Sequence, residues 1–585
     1  MISLTKEQES VCRIESVDAI NHMSIIACAG SGKTLTATRR LFEIYKYIRP
    51  KESIALFSYS NIAVSTFHNE LNKILNTTKN NTVHISTFDS FLTEFVIRPH
   101  GKRMMGCSCS PYLINGSESF LEWPKFKIYK EINLRGSRRK IAFRIDELQM
   151  RPDDGGIAFY VTRENMSYDV DSEEAIEKIK RVAELGGYTH ALRNLWAVLI
   201  LEEESRLVDI ISKKFPYILI DEAQDIGFFH ADIVDLLSKN SKITLIGDPN
   251  QAIYNFAHAD GSFLNEFACE HCGGPKNITC NWRSIEPITC LASRLSGTVT
   301  TCKKNPLHEL HGVYYRTYEP NGEQCLKADF IDLLTSAGYD LHQSAILCRS
   351  NDMVNKILSK DSSSGNGKTK LFAESAIERD TNRDPKTAFN KLVKAIFSLM
   401  TDVPSDIPKK VFNATWDAES LRLRRALWEF WRAPDTGLPA SSLAAKSEWL
   451  SSLRSNLETF LPMFTEHSNL QLDENWRRSI RSNNLPDGCL YQSYSRPNCI
   501  TSNIRIDTVH KAKGESLDSV LYAVTRSHLD AFLEGTVSEE GRIGYVALTR
   551  ARYLFVIAIP VACAKTHGSK LAELGIAHLQ TPRDD

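Results

Sequence analysis

Residues 27–34 constrain the fold of this chain most, because they read Ala-Cys-Ala-Gly-Ser-Gly-Lys-Thr. An apolar pair at residues 25–26 precedes this segment, and residues 35–47, which contain few helix breakers, follow it. A strand, a glycine-rich turn and a helix in that order are typical of a phosphate-binding loop. Backbone N–H groups of the turn and the positive end of the helix dipole then hold phosphate oxygens. Ala27 stands where the usual pattern has its first glycine, and it is small enough to be tolerated.

The turn supplies a predicted set of nucleotide ligands. Lys33 is expected to reach the β- and γ-phosphates of ATP, and the Thr34 hydroxyl is expected to ligate Mg²⁺. The alternative is a chance Gly-Lys-Thr in a turn, and the strand and helix around the segment argue against it. The other residues predicted to close around the phosphates are Ala29, Gly30, Ser31 and Gly32.

A second apolar segment, residues 217–220, ends in Asp221-Glu222-Ala223-Gln224-Asp225. A carboxylate at the carboxyl end of a parallel strand lies in the crevice where ligands bind. Asp221 therefore fits the residue that holds Mg²⁺, and Glu222 fits the base that orients or deprotonates the attacking water. An exposed acidic turn after a strand is the alternative interpretation, and the phosphate-binding loop elsewhere in the chain argues against it.

The composition indicates a globular chain of several domains with no overall charge. Its 585 residues are too many for one domain, and 42% hydrophobic with 24% charged residues favours packed cores over disorder. The 71 basic and 71 acidic residues cancel, so nucleic-acid binding must rely on local basic patches. The first residues show no signal-peptide pattern and no apolar run is long enough to span a membrane, so we expect a cytoplasmic protein with no membrane partner.

The 14 cysteines are scattered without a disulfide-like framework, which favours a reducing compartment. Cys269 and Cys272, with Cys280 nearby, have partial zinc-ligand spacing. The only other close pair, Cys107 and Cys109, does not complete an obvious ligand set. A structural zinc or an iron–sulfur cluster is therefore the alternative to the simpler prediction of reduced cysteines in a loop.

Strand-like and helical stretches alternate at both ends of the chain, which predicts two parallel-sheet α/β domains, each interrupted by an insertion. The predicted strands are 54–57, 83–85, 217–220 and 243–246 in the first domain, and 345–348, 504–506, 519–523 and 554–557 in the second. The predicted boundaries are 1–90 with 215–275 for the first domain, 91–214 for its insertion, 276–380 with 498–585 for the second domain, and 381–497 for the second insertion.

The two insertions differ in character. The first contains a hairpin signal at residues 152–156 and a basic run, which leaves a solvated face and a duplex or tail contact as open alternatives. The second is predicted to be mostly helical, and residues 362–367 read as a flexible loop. The basic run comprises Arg135, Arg138, Arg139, Lys140 and Arg144. The residues at helical spacing in the second insertion are Phe389, Val393, Ile396 and Met400.

Seven short segments, together with the phosphate-binding loop and the acidic motif, resemble the motifs of the UvrD/Rep family of superfamily 1 DNA helicases, in the family's order. The likeness covers both ends of the chain well and the insertions poorly. It implies two RecA-like P-loop domains with accessory subdomains inserted in each. The seven segments are 4–8, 58–61, 87–90, 247–256, 281–284, 508–515 and 545–551.

The resemblance extends the predicted nucleotide site into the second domain. Gln8 would read the adenine edge, Gln251 would sense the γ-phosphate, and Trp282 would stack on adenine. Arg283 and Arg550 would act as arginine fingers, which stabilise charge that builds on the γ-phosphoryl oxygens during transfer. Glu515 is the matching glutamate of the fifth motif, although the family places it one position later.

The resemblance also implies a track for single-stranded DNA in which aromatic rings stack on bases, a mode of binding that tolerates any sequence. One departure from the family is Asp89, which replaces a histidine and would repel phosphate. The residues assigned to the track are Tyr59, Asn61, Thr87, Tyr254, Phe256, Thr508 and His510.

The resulting hypothesis is an ATP-dependent DNA helicase or translocase that uses ATP and Mg²⁺ and moves 3′ to 5′ on single-stranded DNA. It would act on single-stranded or tailed duplex DNA in DNA repair, replication restart or antiviral defence against phage. An ATPase subunit of a nuclease or antiphage complex, with little unwinding of its own, is the first alternative. A nucleotide-gated DNA-binding module without turnover is the second. The second insertion is shorter than the family's larger accessory domains, which suggests that unwinding needs a partner or activation.

Overall fold

A computed structural model of the chain describes residues 4–579, apart from 60, 76–81, 115, 117, 135–136, 154–155, 164–165, 255–258, 260, 321, 359–366, 383–384, 402, 404–406, 414–417, 469, 483–484, 486–487 and 491–503. The chain divides into two compact units. The first comprises residues 1–114, 122–354 and 503–585, and the second comprises residues 115–121 and 355–502. No helix among the described residues combines the length and the apolar character needed to cross a membrane.

The first unit begins with helix α1, and a strand, a loop and a helix then follow in the order that the phosphate-binding pattern predicts. A π-helical turn at Leu92–Ile97 joins the last two helices of this stretch. The elements up to residue 105 are α1 (Lys6–Cys12), β1 (Met23–Ala27), α2 (Lys33–Tyr45), β2 (Ile54–Ser58), α3 (Asn61–Leu75), β3 (Val83–Thr87), α4 (Phe88–Phe91) and α5 (Arg98–Met105).

The first insertion, apart from residues 115–121, belongs to the first unit and mixes hairpins with helices. Its hairpin signal is confirmed, because β7 pairs antiparallel with β8 on either side of residues 154–155. The basic run falls on β5 and β6, although Arg135 lies outside the described residues and so do the side chains of Arg138 and Arg139. The elements are β4 (Tyr112–Leu113), β5 (Lys127–Leu134), β6 (Ser137–Arg144), β7 (Gln149–Asp153), β8 (Gly156–Arg163), β9 (Met166–Val170), α6 (Ser172–Glu184), β10 (Gly187–Tyr188), α7 (His190–Glu203) and α8 (Ser205–Lys214).

The chain then returns to complete a six-stranded parallel sheet, which we call the first lobe. Its order is β13-β1-β12-β11-β2-β3, with buried apolar strands at the centre, as a sheet covered on both faces requires. The predicted limit at residue 275 is early, because β13 pairs with β1. The returning elements are β11 (Tyr217–Asp221), α9 (Phe228–Ser238), β12 (Lys242–Gly247), α10 (Phe263–Phe267) and β13 (Lys276–Ile278).

The next stretch begins the second domain. Strands β14 and β15 pair with each other, and β16 and β17 enter a second large sheet. The elements are β14 (Cys280–Ile285), α11 (Glu286–Ser296), β15 (Thr301–Lys304), β16 (Gly312–Tyr318), α12 (Cys325–Ser336), β17 (Ser344–Cys348) and α13 (Asn351–Ile357).

The second unit is mostly helical, as predicted, around a core that includes Phe389, Leu427 and Trp449. Helix α14 contributes Phe372 to this core, so the helical insertion begins before the predicted residue 381. The prediction that Met400 continues the helical face is wrong, because α15 ends at Phe397 and Met400 starts a short strand. The elements are α14 (Gly367–Ile377), α15 (Pro385–Phe397), β18 (Met400–Thr401), α16 (Ile407–Asn413), α17 (Ala418–Arg432), α18 (Leu450–Ser468), β19 (Gln471–Leu472) and α19 (Trp476–Ser479). The predicted loop at 362–367 lies outside the described residues except for Gly367, which starts α14.

The last stretch completes the second sheet, which we call the second lobe. Its order is β20-β17-β21-β22-β16-β23, and all its neighbours are parallel. The two parallel sheets with flanking helices confirm the predicted fold class. The elements are β20 (Arg505–Thr508), β21 (Leu517–Ala523), α20 (Arg526–Leu533), α21 (Glu539–Arg550), β22 (Ala551–Pro560), α22 (Val561–Glu573) and β23 (Ala577–His578).

Candidate active site and nucleic-acid interface

The phosphate-binding loop lies between β1, which ends at Ala27, and α2, which begins at Lys33. Gly30 and Gly32 have φ angles of +72° and +83°, in the left-handed region that favours glycine. At Gly30 a side chain is also excluded by space, because a Cβ there would lie 2.6 Å from the Cβ of Arg283. The loop glycine thus permits close approach by a residue assigned to the second domain.

Residues 281–284 contact the phosphate-binding loop. The Trp282 backbone N–H donates to the Gly30 carbonyl at 2.9 Å, and the Asn281 side chain accepts from the Arg283 N–H at 2.7 Å. The Ser284 hydroxyl donates to the Ala551 carbonyl at 2.7 Å, which ties the segment to the second lobe. The Trp282 side chain remains 45% exposed beside the loop, where an adenine ring could stack on it.

The acidic motif lies at the carboxyl end of β11, as predicted. Asp221 is the last residue of the strand, and Glu222 follows it with a φ of +54°, which is uncommon for a residue other than glycine. The Gln224 side-chain amide donates to Glu222 Oε2 at 2.6 Å. This unusual backbone conformation and the amide contact fix the direction of the Glu222 carboxylate.

The two carboxylates experience opposite electrostatic effects. Burial and the neighbouring Glu222 charge raise the pKa of Asp221. Burial also acts to raise the pKa of Glu222, but the positive charges of Lys33 and Lys513 outweigh it and hold that pKa below its usual value. Glu222 is therefore ionised at neutral pH and able to accept a proton.

Asp221 suits a divalent cation. Its Oδ1 atom is buried and makes no hydrogen bond within the described residues. A cation would supply a partner for this oxygen and would reverse the rise in the pKa of Asp221. Mg²⁺ takes carboxylate and hydroxyl oxygens, so Asp221 with the Thr34 hydroxyl, one residue into α2, fits the predicted metal ligands.

The second lobe inserts Arg550 into a hydrogen-bond network of the first lobe. Arg550, at the end of α21, is 2% exposed, and its Nη2 donates to Gln251 Oε1 at 2.9 Å. The Gln251 amide nitrogen in turn donates to Asp248 Oδ2 at 2.5 Å. The predicted γ-phosphate sensor and the predicted second finger thus touch directly.

The two predicted fingers lie close enough to repel each other. Arg283 Nη1 donates to the Thr549 carbonyl at 3.0 Å, next to Arg550. Burial and the Arg550 charge lower the pKa of Arg283 to about 9, and burial lowers the pKa of Arg550. Two neighbouring guanidinium groups, of which Arg550 is buried and Arg283 partly buried, favour the binding of an anion such as a γ-phosphate between them.

Two residues predicted to contact the nucleotide are engaged with the protein. The Gln8 side chain accepts from the Thr5 N–H at 3.0 Å, and its Nε2 donates to the Ser31 carbonyl at 3.0 Å. Arg505 Nη1 donates to Glu515 Oε2 at 2.5 Å. Gln8 therefore caps α1 and supports the loop, and Glu515 forms an ion pair. Their contacts with ATP stay predictions.

The predicted DNA residues gather at the carboxyl ends of the strands, but they are not equally accessible. Tyr59 follows β2, and its ring meets His230 edge to face at 5.7 Å between centroids. The Thr87 hydroxyl caps α4 by accepting from the Ser90 N–H at 3.1 Å. Thr508 is the buried last residue of β20. The DNA contacts of these three residues stay predictions.

Two further residues predicted to bind DNA meet across the lobes. His510 Nε2 lies 3.2 Å from the Ile253 carbonyl, and its ring lies 6.0 Å from that of Tyr254. The Asn61 backbone starts α3 but its side chain is outside the described residues, as is the whole of Phe256.

Asp89 does not present a bare negative charge to DNA. Arg193 Nη2, from α7, lies 2.5 Å from Asp89 Oδ2, and His230 Nε2, from α9, lies 3.2 Å from Asp89 Oδ1. Burial acts to raise the pKa of Asp89, but the hydrogen bond from His230 and the Arg193 charge hold it below the usual value. The predicted repulsion of phosphate is therefore offset within the protein.

The sequence patterns missed one buried ion pair. Lys513 Nζ lies 2.6 and 2.7 Å from the Asp225 oxygens, and both side chains are almost fully buried. Both residues lie inside motifs already singled out, but 288 positions separate them. Their opposite charges at motif positions without an assigned role were the only available signal.

The cysteine cluster lies on helix rather than in the predicted loop. Cys269 and Cys272 belong to a π-helical turn, Ala268–Cys272, and both are free thiols. The loop prediction is wrong because this turn extends α10. Across the described residues, no group of three or more His, Cys, Asp or Glu side chains is arranged to hold a metal ion.

Comparison with known proteins adds an independent line of evidence. Residues 4–271 match the family model of the UvrD/REP helicase N-terminal domain, and residues 386–560 match that of the UvrD-like helicase C-terminal domain. A probable DNA helicase II homolog of Mycoplasma pneumoniae is 26% identical over 48% of this chain and 40% of that protein.

Two other relatives extend the comparison. The ATP-dependent DNA helicase srs2 of Schizosaccharomyces pombe is 24% identical over 53% of this chain and 37% of its own length. The RecBCD enzyme subunit RecB of Buchnera aphidicola is 38% identical over 18% of this chain and 9% of that protein. The aligned part of the chain spans less than half the length of each of these three relatives.

Proposed function

The chain belongs to the UvrD/Rep family of DNA helicases, since models of both helicase domains match it, and we propose that it converts ATP hydrolysis into movement along single-stranded DNA. The 2.9 Å hydrogen bond between Arg550 and Gln251 carries this proposal. It joins a buried arginine of the second lobe to a glutamine next to the acidic motif of the first lobe. A nucleotide bound at that junction would contact residues of both lobes.

The residues of the cleft divide the hydrolytic work. Glu222, ionised and aimed by Gln224, orients a water molecule and accepts its proton. Lys33, Arg283 and Arg550 would stabilise the charge that develops on the transferred phosphoryl group. Mg²⁺, when held by Asp221 and Thr34, would neutralise charge on the β- and γ-phosphates.

Hydrolysis would then be coupled to movement. With the γ-phosphate present, the two guanidinium groups gain an anionic partner, and the lobes stay closed. After its loss, the repulsion between Arg283 and Arg550 returns and favours opening. Alternating closure and opening would advance the lobes along a strand on which Tyr59 and Tyr254 stack.

We also propose a direction and a biological setting for this movement. The family resemblance supports travel from 3′ to 5′ on single-stranded DNA and unwinding of tailed duplexes. Relatives named as DNA helicases support action on DNA, and DNA repair or replication restart is the proposed setting. The cytoplasm is the proposed location, and the reduced cysteines are consistent with it.

A second candidate is an ATPase subunit of a nuclease or antiphage defence complex. The local likeness to RecB, named as a subunit of the RecBCD enzyme, favours it. In this case the chain would hydrolyse ATP on DNA but unwind little by itself, and a nuclease would be its partner.

The test compares ATPase activity with and without single-stranded DNA, followed by unwinding of duplexes that carry a 3′ tail, a 5′ tail or no tail. Strong stimulation with unwinding of the 3′-tailed duplex alone is the expected result. Stimulation without unwinding would favour the complex subunit. Absence of stimulation would contradict the proposed DNA motor.

A further inference from the structure

A groove with an apolar floor runs between α17 and α18 in the second unit. It encloses about 540 Å³, and its floor contains Phe430 of α17 and Phe464 of α18, which are 4% and 2% exposed. Phe460 lines it and is half-buried, and Met463 lies at its edge with 54% of its surface exposed. None of the residues assigned to the nucleotide or to DNA lines this groove, so the proposed function leaves it without a role.

The groove has the length of a short helix. Its lining residues on the α17 side extend from Arg422 to Ala433, which is about 16 Å at 1.5 Å per residue. Ala426 and Glu429 lie between them, so each turn of α17 along this distance contributes to the lining. An amphipathic helix of about three turns has the same length and would enter such a groove with apolar anchors at i, i+3 or i+4, and i+7.

Helix α17 is basic, although the whole chain is neutral, because it carries four arginines and two glutamates. Arg424 is engaged with the protein, since its Nη1 donates to the Val411 carbonyl at 2.8 Å and its Cζ lies 5.0 Å from the centre of the Phe389 ring. By contrast, Arg422 and Arg425 line the groove and are exposed, and neither has an ion pair or a side-chain hydrogen bond within the described residues. Two positive charges therefore border an apolar groove without a negative partner in the described part of the chain.

These features favour a protein helix over a nucleic-acid strand as the occupant. Single strands stack on aromatic faces that are open to the bases, but Phe430 and Phe464 are buried in the core of the second unit. Glu429 also lines the groove and is exposed, and its carboxylate would repel a phosphate backbone. The apolar side chains of a helix need no hydrogen-bond partner in the groove, and carboxylates beside them would pair with the two free arginines.

We propose that the groove between α17 and α18 binds an acidic amphipathic helix of a partner protein. Apolar side chains of that helix enter the groove, and its glutamates or aspartates pair with Arg422 and Arg425. The attraction between these opposite charges selects acidic partners and speeds association, while the burial of apolar side chains supplies most of the affinity. The inference goes beyond the proposed function and does not depend on it, because docking of this helix requires neither ATP nor DNA.

The experiment titrates the full chain into a fluorescent synthetic peptide and follows the anisotropy. The peptide has about 15 residues, enough for a marginally stable helix, with leucines at i, i+3, i+4 and i+7 and glutamates at the flanking positions. We expect saturable one-to-one binding with a dissociation constant in the micromolar range that weakens as salt is added. Two control peptides, one with lysines in place of the glutamates and one with alanines in place of the leucines, should each bind at least about tenfold more weakly.

The chain offers variants that locate the binding and a matched control. Ala426→Trp fills the groove, and the double variant Arg422→Glu/Arg425→Glu reverses its charge, so each should weaken binding of the acidic peptide by about tenfold or more. Arg432→Glu changes an exposed arginine of the same helix that does not line the groove, and it should stay within about twofold of the wild type. If Ala426→Trp does not fold, as judged by circular dichroism, Met463→Asp at the exposed edge of the groove replaces it.

Three results would overturn the inference. The first is absence of binding by the acidic peptide, or equal binding by its lysine counterpart. The second is weaker binding of an oligo-dT strand by Arg422→Glu/Arg425→Glu but not by Arg432→Glu, which would assign the groove to nucleic acid. The third is a dimer of the chain in light scattering that Ala426→Trp dissociates, which would assign the groove to a second copy. Failure of DNA to stimulate the ATPase would contradict the proposed function but would leave peptide binding unchanged, so the two failures are distinguishable.

Discussion

The predicted nucleotide side and the predicted DNA side of the first unit differ in how their charges are balanced. On the nucleotide side, Arg283 and Arg550 lie together in a desolvated site, and the pKa of each is lowered, to about 9 for Arg283. On the DNA side, Asp89 pairs with Arg193. Between the two sides, Lys513 pairs with Asp225. On the nucleotide side, burial and the Arg550 charge disfavour the charged form of Arg283, and Glu222 offsets this only in part. On the predicted DNA side, Asp89 already has two partners within the protein.

This difference indicates that the two ligands are held by different forces. ATP would supply negative charge between the arginines, so its binding and hydrolysis should depend steeply on single cationic side chains. DNA would gain mainly from stacking and a few hydrogen bonds, with a modest salt-dependent term. Substitutions on the two sides should therefore have effects of different size and different salt dependence.

The largest effect is expected for Arg550→Ala. Loss of an arginine finger typically lowers hydrolysis by about 10³-fold or more, and this substitution also removes the donor to Gln251. Steady-state ATPase assays at saturating single-stranded DNA measure it. The control is Arg552→Ala, which removes a nearby arginine that pairs with Asp518 instead. A kcat for Arg550→Ala within a few fold of the wild-type value would contradict the expectation that ATP hydrolysis depends on single cationic side chains.

Glu222→Gln should lower kcat by roughly 10²- to 10⁴-fold, because the general base is lost while its shape is kept. ATP affinity, measured by equilibrium binding of a fluorescent nucleotide, should remain close to that of the wild type. Unchanged turnover would mean that the water is activated elsewhere and would favour a binding module over a motor.

Tyr59 separates stacking from hydrogen bonding on the DNA side. Its hydroxyl is buried and has no hydrogen-bond partner among the described residues. Tyr59→Ala should weaken single-stranded DNA binding by about 1–3 kcal/mol, the usual range for a stacked base. Tyr59→Phe keeps the ring, so its affinity for single-stranded DNA, measured in the same titration, should stay close to that of the wild type.

The same Tyr59→Phe variant also tests stability. Removing a buried hydroxyl that has no partner should raise the free energy of unfolding by about 1 kcal/mol. Denaturant titration of the purified chain measures this change. A fall in stability together with weaker DNA binding would show that the hydroxyl makes a favourable contact.

The smallest effect is expected for Asp89→Asn. The variant frees the Arg193 charge for one phosphate, so the plot of log affinity against log salt should steepen by about 0.7 for single-stranded DNA. Binding titrations over a range of salt concentrations measure this slope. An unchanged slope would mean that Arg193 lies out of reach of the strand.

The stability difference between the wild type and Asp89→Asn should depend on pH. The folded state holds the pKa of Asp89 below its usual value of about 4, so its contribution to stability is present above that pH and is lost as pH falls through the folded pKa. At neutral pH the loss should be no more than about 1 kcal/mol, because the side chain is 42% exposed. Urea titrations at pH 7 and pH 3 give the comparison.

Local sequence patterns were sufficient to predict the fold class and the main strands of the two sheets. Strands such as β2 and β11 are short apolar runs whose burial on both faces follows from composition alone. The phosphate-binding loop and the acidic motif are each continuous in sequence, so local spacing was enough to predict where Lys33 and Glu222 lie relative to β1, α2 and β11. Cys272 was misplaced because a π-helical turn has no strong sequence signal.

Contacts between distant segments could not be predicted in the same way. Lys513 and Asp225 are 288 positions apart, and nothing in either motif states that the two side chains meet. The pairing of Asp89 with Arg193 likewise depends on how α7 packs, which local spacing does not encode. Both pairs arise from tertiary packing, and both change the electrostatics of residues that the motifs had identified.

The most direct test is a structure of the chain bound to a non-hydrolysable ATP analogue and single-stranded DNA. We expect γ-phosphate oxygens within about 3.2 Å of Lys33 in the first lobe and of Arg283 or Arg550 in the second. A nucleotide held by the first lobe alone, with both guanidinium groups beyond hydrogen-bond distance, would contradict a cleft that grips one triphosphate from two sides.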